Sequence, residues 1–415
     1  MPCGRTVHDV SDSPQTVSLA DVDAARAIHD TAGAGVVRHT PVVPAAALSG
    51  ALGRQVVYKA DNLQTTGSFK IRGALNKVAS LGTTARAGVT AGSAGNHAQA
   101  LAYAARHFQV PCEIFVPAGA PVVKIARCEA LGAIVHEGGA SLAEAVAASR
   151  ARAVEAGLTF CHPYDDPLVI AGQGTLGLEL VEDLPDLECV VIPLGGGGLA
   201  AGTAIAIKAH RPHVRVIAVQ ASVCAPYAGD PPPSGPIVTL ADGIAVKYPG
   251  EITRPLVERF VDEIVTVDED TIADAMVMLM DAVKLYVEGA GAVGAAALMS
   301  DPQLAARDGS TCVVVSGGNV DLGVVPGLIR RREHQAGRRL TVFARIDDRP
   351  GGMIRFLQLF AEAGANLIEV EHHREGLELH VRETGVRATF EVRSPAHAAA
   401  IVAAARAAGY PVETA

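Results

Sequence analysis

The sequence predicts an α/β chain made of two parallel-sheet lobes, followed by a smaller βαββαβ module. Three observations carry this. From about Leu19 onward, short β-branched runs alternate with Ala-rich runs at helical spacing, the pattern of strands joined by crossover helices. The 415 residues are 49% hydrophobic and only 19% charged, so a sizeable core is expected, spread over two or three domains. The composition then shifts at Arg330-Arg331-Arg332-Glu333-His334-Gln335-Ala336-Gly337-Arg338-Arg339, which reads as a linker over 330–338.

Taken in order, Met1 to Val17 is punctuated by Ser, Asp and Pro and reads as a loose tail. Gln55 to Lys59 is a short strand, and Ile71, Leu75 and Val78 recur at helical spacing after it. Strands are expected at 87–91, 112–116, 133–136 and 158–161, with helices at 96–109, 122–131 and 141–155 between them. A further βαβ unit spans 189–194, 199–210 and 214–220, with four glycines at its first turn. Pro226 to Pro236, with three consecutive prolines, is a surface loop. Helices at 268–286 and 289–299 precede a buried strand at 311–315. Beyond the linker, 339–415 reads strand 340–346, helix 352–363, strands 366–372 and 386–392, helix 396–408, and a last strand at 410–412.

The stretch Thr66-Gly67-Ser68-Phe69-Lys70-Ile71-Arg72-Gly73-Ala74 places Lys70 in the first turn of a helix, after a Gly-Ser entry. The positive end of the helix dipole and apolar surroundings both disfavour the ammonium form. An amine partly relieved of its proton is what Schiff-base chemistry with a carbonyl cofactor requires. Alone, the segment does not exclude a solvated surface lysine, the fate of most lysines. Gly195 to Gly198 follow a strand and precede a helix, so their amides can wrap an anion there, or merely form a flexible turn. Ser93-Ala94-Gly95-Asn96-His97 occupies a similar strand-to-helix junction, suited to a carboxylate or to simple helix capping.

Asp61 to Lys70 closely resembles the cofactor-lysine motif of the threonine dehydratase group of fold-type II pyridoxal-phosphate enzymes, whose lobes are tryptophan synthase β-like. Four further motifs of that group follow in order: Ser93 to His97, Ala171-Gly172-Gln173-Gly174-Thr175, Gly195 to Leu199, and Ser316-Gly317-Gly318-Asn319. One glycine-rich loop is weak, but five ordered motifs are strong. The resemblance covers about Leu19 to the C-terminus. It implies a catalytic domain over 18–329, with the small lobe inserted at about 60–162. Pyridoxal 5′-phosphate would be carried by Lys70, flanked by Phe69, reached by Asn96, and held at its phosphate by Gly195, Gly196, Gly197, Gly198 and Leu199. Ser316 would meet the pyridine nitrogen; a hydroxyl there makes a weaker electron sink that suits β-elimination. Ser93, Ala94, Gly95, Asn96 and His97 would line the substrate-carboxylate subsite. Glu288 would face the cofactor region, although a solvated helix-end glutamate fits the sequence nearly as well.

The implied activity is conversion of L-threonine to 2-oxobutanoate and ammonia, with L-serine as a further substrate. Serine dehydratase, serine racemase and 3-hydroxyaspartate ammonia-lyase are rivals on the same scaffold. A racemase needs a second acid/base where this chain has Ala94, and methyl moves no proton. Gln220 and Pro226 stand where some relatives place acidic metal ligands, so no metal is expected. Ala100 replaces a glycine frequent in dehydratases.

Residues 339–415, with Asp348-Arg349-Pro350-Gly351 after the first strand, resemble an ACT module, which implies amino-acid regulation. Gly351, Gly352 and Asn366 are the candidate effector-binding residues, a branched-chain amino acid the candidate effector, and edge-to-edge pairing implies a homo-oligomer. A docking module without a ligand is the alternative there, and a non-catalytic amino-acid sensor is the alternative for the whole chain. The net charge of −9 argues against a nucleic-acid partner. No apolar run is long enough for a membrane span, and seven scattered cysteines without a C-x-x-C pair suit a cytoplasmic setting.

Overall fold

The computed structural model describes residues 16–231, 233–235, 237–374, 380 and 382–414. All but the last two residues of the expected tail lie outside them. The chain divides after Val320 into two compact units.

The first unit holds two sheets. The larger runs in the order Val42–Pro44, Gln55–Lys59, Ser310–Val314, Leu187–Pro193, Arg215–Ala221, Glu263–Val267. All its pairings are parallel except that of the short edge strand Val42–Pro44. The smaller sheet, wholly parallel, runs Ile134–Glu137, Cys112–Val116, Val89–Gly92, Thr159–Phe160. Its strands fall between the second and third strands of the larger sheet in sequence, so one lobe is threaded into the other. Each lobe has its own core. Ile71, Leu75, Ala98, Leu101 and Ile114 are among the residues filling the small one, and Ile170, Leu176, Val190, Leu199 and Val216 the large one.

The chain therefore crosses between lobes twice, over 60–69 on the way out and 161–166 on the way back. Both crossings abut the carboxyl ends of sheet strands, where open α/β sheets place their ligands. The outgoing crossing ends at helix Lys70–Leu81, whose first residue is Lys70. The return crossing ends at helix Pro167–Asp183, capped by the Asp166 carboxylate.

Several expectations need correction. Helix Pro167–Asp183, absent from the expected elements, lacks amphipathic contrast because it is apolar on nearly every side and buried along most of its length; Asp166-Pro167 at its start was the available signal. The helix expected over 268–286 ends at Met278; one π turn, Leu279–Val283, follows, and Lys284 then adopts φ +62° and breaks the run. The supposed linker over 330–338 is largely helix Val325–Gln335. The boundary between units lies at Val320, about ten residues earlier than composition suggested. Arginine-rich helical surface and linker share a composition, and only packing tells them apart.

The second unit pairs four antiparallel strands in the order Asn366–His373, Glu383–Glu391, Arg339–Asp347, Val412–Thr414. Helices Gly352–Glu362 and Pro395–Ala407 complete the expected βαββαβ order. Phe356 and Phe360 are fully buried and Leu357 partly so, and the Phe360 ring stacks on Phe390 at 4.3 Å.

Candidate active site

Lys70 opens helix Lys70–Leu81, where the outgoing crossing enters the small lobe. Its Nζ donates to the Pro163 carbonyl at 2.8 Å and sits 5.0 Å from the Phe69 ring centroid. The residue keeps some accessible area, but protein surrounds its amino group. Burial pulls the amine down to about 8, against the opposing pull of the Glu288 carboxylate. A neutral, nucleophilic amine is thus accessible near neutral pH.

Glu288 is buried at 5% exposure, so the solvated alternative is wrong. Burial, and then the charge of Asp242, push its carboxyl up to about 7. Asn96 donates Nδ2–H to Glu288 Oε1 at 2.7 Å, while Asn319 donates to Asn96 Oδ1 at 2.8 Å and to the Thr66 carbonyl at 2.9 Å. This chain fixes which way the Asn96 amide points. It draws on three separated motifs, and nothing in the sequence singled out Asn319 within its own.

Close backbone approach explains the glycines here. The Ser68 and Gly317 backbones form a bridge, Phe69 N–H donates to Ser316 O at 2.9 Å, and Gly318 N–H donates to Gly67 O at 2.8 Å. A Cβ on Gly317 would collide with the Glu288 carboxylate.

The loop Gly195–Gly198 leads from strand Leu187–Pro193 into helix Gly198–His210. Among the described residues, none accepts a hydrogen bond from the amides of Gly195 to Gly198. Four such donors at the N-terminus of a 13-residue helix make a site for a phosphate-sized anion. A ligand is not their only reason for being glycine. A Cβ on Gly196 would overlap the Tyr164 ring, and one on Gly197, at φ +98°, would meet the Tyr227 hydroxyl. Leu199, at 5% exposure, belongs to the large core and to the first turn of that helix. Thr253 Oγ1 and the Tyr227 hydroxyl donate to Gly196 O at 2.6 and 3.2 Å and hold the loop.

Other polar groups are left with capacity to spare. Ser316, 2% exposed, has only a 3.5 Å contact to Ala290 O, at the edge of hydrogen-bonding range. Ser68 Oγ and Thr66 Oγ1 are buried and have no hydrogen-bond partner among the described residues. Buried polar groups are normally satisfied, so this cluster is built around a polar molecule. The unpartnered loop amides, the spare Ser316 hydroxyl and the depressed Lys70 amine together fit pyridoxal phosphate.

Ser93 to His97 lead from strand Val89–Gly92 into helix Asn96–His107, with Ser93 Oγ accepting from Gly95 N–H at 3.3 Å. His97 is buried and donates Nε2–H to Cys161 O at 3.0 Å; burial, and then the nearby Lys70, lower it to about 3. It is a neutral imidazole. Ala94 is partly buried and brings only a methyl group.

Gln220 is wholly buried. It accepts from the Tyr227 and Ala228 amides at 3.0 and 3.2 Å and donates to Leu194 O, so it braces the loop network.

Sequence reasoning missed the charge network behind Lys70. Arg72, fully buried, donates to Asp61 from Nε and Nη2, at 2.8 Å each, and to Glu179 from Nη1 at 2.6 Å. Lys59, also fully buried, pairs with Glu179 at 2.7 Å and Asp183 at 2.9 Å. Burial works against the Arg72 charge, but Asp61 and Glu179 outweigh it and hold the guanidinium above its usual pKa. The network clamps both ends of the outgoing crossing. A charged residue on the apolar side of a helix was the available signal.

In the second unit, Gly351 at φ +81° precedes helix Gly352–Glu362. Gly352 N–H already donates to Arg349 O at 3.0 Å, and the exposed Asn366 donates to Glu391 at 3.3 Å.

Comparison with known proteins gives a consistent result. The family described as "Pyridoxal-phosphate dependent enzyme" matches residues 34–317. An L-threonine ammonia-lyase from Thermotoga maritima is 42% identical over 383 residues, covering 91% of this chain and 95% of the relative. Among solved structures, the processed form of threonine deaminase isoform 2 from Solanum lycopersicum superposes with TM-score 0.69 at 30% identity, covering 80% of this chain and 99% of its own. Maize serine racemase superposes with TM-score 0.70 at 32% identity, covering 77% and 99%.

Proposed function

The chain belongs to the pyridoxal-phosphate-dependent enzyme family, and on that premise we propose that it is an L-threonine ammonia-lyase, converting L-threonine to 2-oxobutanoate and ammonia by α,β-elimination and acting also on L-serine. The observation that carries this is the buried Lys70 amine, drawn down to about 8 beside the Glu288–Asn96–Asn319 chain.

When bound, pyridoxal phosphate supplies an electron sink that acidifies the substrate Cα–H. Each residue then has a task its chemistry allows. The amides of Gly195 to Gly198 hold the phosphate, and Leu199 seats the helix beneath them. Phe69 would flank the ring, Asn96 would be the residue placed to reach its phenolic oxygen, and the Ser316 hydroxyl would meet its nitrogen without contributing a charge. The backbone and short side chains of Ser93 to His97 orient the substrate carboxylate. The Lys70 amine would be the base that takes the Cα proton. The Glu288 carboxyl, poised at about 7, steadies the Asn96 amide.

Ala94 argues for elimination over racemisation, since no proton donor stands at that position. Lys70→Ala tests the reading: 2-oxobutanoate formation falls by orders of magnitude and the visible cofactor absorbance of the purified protein is lost. Near wild-type turnover in that variant overturns it. Product assays with threonine, serine and 3-hydroxyaspartate rank the substrates.

For the second unit we propose an ACT-like regulatory role, in a homo-oligomer. A branched-chain amino acid, isoleucine first, would bind near Gly351, Gly352 and Asn366. The βαββαβ order and the open turn at Gly351 support this. The six described cysteines are unpaired and buried, which supports a reducing, cytoplasmic setting. No helix among the described residues is long and apolar enough to cross a membrane.

A further inference from the structure

Lys70 closes the outgoing crossing between lobes, and Pro163 lies on the returning one. The hydrogen bond from Lys70 Nζ to Pro163 O, at 2.8 Å, ties the two crossings together. That carbonyl is presented by a turn that His162 organises. His162 Nδ1 accepts from Asp165 N–H at 2.8 Å and from Tyr164 N–H at 3.3 Å. An imidazole nitrogen that accepts carries no proton, so the ring is neutral with its hydrogen on Nε2. Burial lowers His162 to about 4 and keeps that acceptor intact at neutral pH. The next residues extend the strut. The Tyr164 ring packs on Gly196, and the Asp165 carboxylate accepts from the amides of Glu251, Ile252 and Thr253 at 2.9, 2.9 and 3.0 Å.

We propose that His162 is a positioning residue for Lys70: it fixes the turn whose Pro163 carbonyl receives the lysine amine whenever that amine is not engaged covalently. The same turn underlies the glycine loop, so the resting place of the lysine and the anion site are built on one element. A carbonyl acceptor favours the ammonium form, whereas the enclosing protein disfavours it. The Pro163 contact therefore acts in the same direction as the Glu288 carboxylate, against the burial that draws the amine down. Glu288, His97 and His162 are the titratable groups that face the amino group; both imidazoles are neutral near pH 7. Replacing neutral His162 by leucine removes no charge and leaves the site enclosed, so what it changes is the turn.

The inference requires that Lys70 be the reactive amine, but not that threonine be the substrate. Its test therefore uses cofactor-free protein without substrate. Competitive acetylation of Lys70, read by peptide mass spectrometry across pH, gives the titration midpoint of the amine. The wild-type midpoint is expected near 8. His162→Leu lowers it by about one pH unit, the scale of one charge-assisted hydrogen bond weakened in a site that stays enclosed. His162→Asn, whose side-chain oxygen can accept the same two amides, restores the wild-type midpoint. If the leucine variant does not fold, His162→Ala, which also lacks an acceptor, takes its place with the same expectation. An unchanged midpoint in the variant without an acceptor, or an equal shift in His162→Asn, overturns the proposal.

Discussion

Arg72→Met isolates the charge network behind Lys70. In the native protein Arg72 donates to Asp61 through two nitrogens and to Glu179 through two, at 2.6 to 3.0 Å, and it reaches Thr175 Oγ1 at 3.1 Å. Methionine fills much of the volume but donates nothing. Glu179 keeps Lys59 as a partner at 2.7 Å. Asp61, wholly buried, keeps only the Thr40 hydroxyl at 2.7 Å and the Gln64 amide at 3.3 Å. It becomes a buried carboxylate without a cation, and breaking such a pair from one side costs about 3–5 kcal/mol. With a urea slope of about 3 kcal/mol/M, the unfolding midpoint drops by about 1–1.7 M. The assay is urea unfolding followed by far-ultraviolet circular dichroism. Adding Asp61→Asn to Arg72→Met neutralises the stranded charge and recovers a substantial part of the loss. A loss below about 1 kcal/mol in Arg72→Met, or an Asp61→Asn effect that simply adds, refutes the account.

Stability should fall as pH drops from about 6.5 to about 4: burial holds His29, His97 and His162 at about 4, 3 and 4, so the unfolded chain takes up protons that the folded one refuses. Urea midpoints at pH 8, 6 and 4.5 check this, and a midpoint that is flat or rising towards acid contradicts it. Gly197→Ala forces a side chain into φ +98° and against Tyr227, so affinity for pyridoxal phosphate should weaken about tenfold by fluorescence titration. Incubation with L-serine should release pyruvate with negligible D-serine by chiral chromatography, because Ala94 lacks a transferable proton; racemisation at a comparable rate would move the assignment to the racemase. Protein truncated after Val320 should keep turnover and lose any isoleucine response, which in the intact enzyme would shift apparent threonine affinity about 5- to 150-fold.

The sequence alone determined what local chemistry can encode. Period-two and helical spacing marked the sheet strands and most crossover helices, since each side chain's burial there depends on neighbours two to four residues away. Lys70, Gly195 to Gly198 and Ser93 to His97 stood out because strand-to-helix turns demand small residues and free amides. The tertiary structure decided the rest. Helix Pro167–Asp183 was hidden because burial on all sides erases amphipathic contrast. The arginine-rich helix Val325–Gln335 resembled a linker until its packing was known. Glu288 could be solvated or buried on sequence grounds; only its burial, with Asp242 nearby, lifts its carboxyl to about 7, against the pull of Asn96, 192 residues away. The partners of Arg72 are likewise 11 and 107 residues distant. Electrostatic environment is a property of position in space, and no residue carries that in its own letter or in its neighbours'.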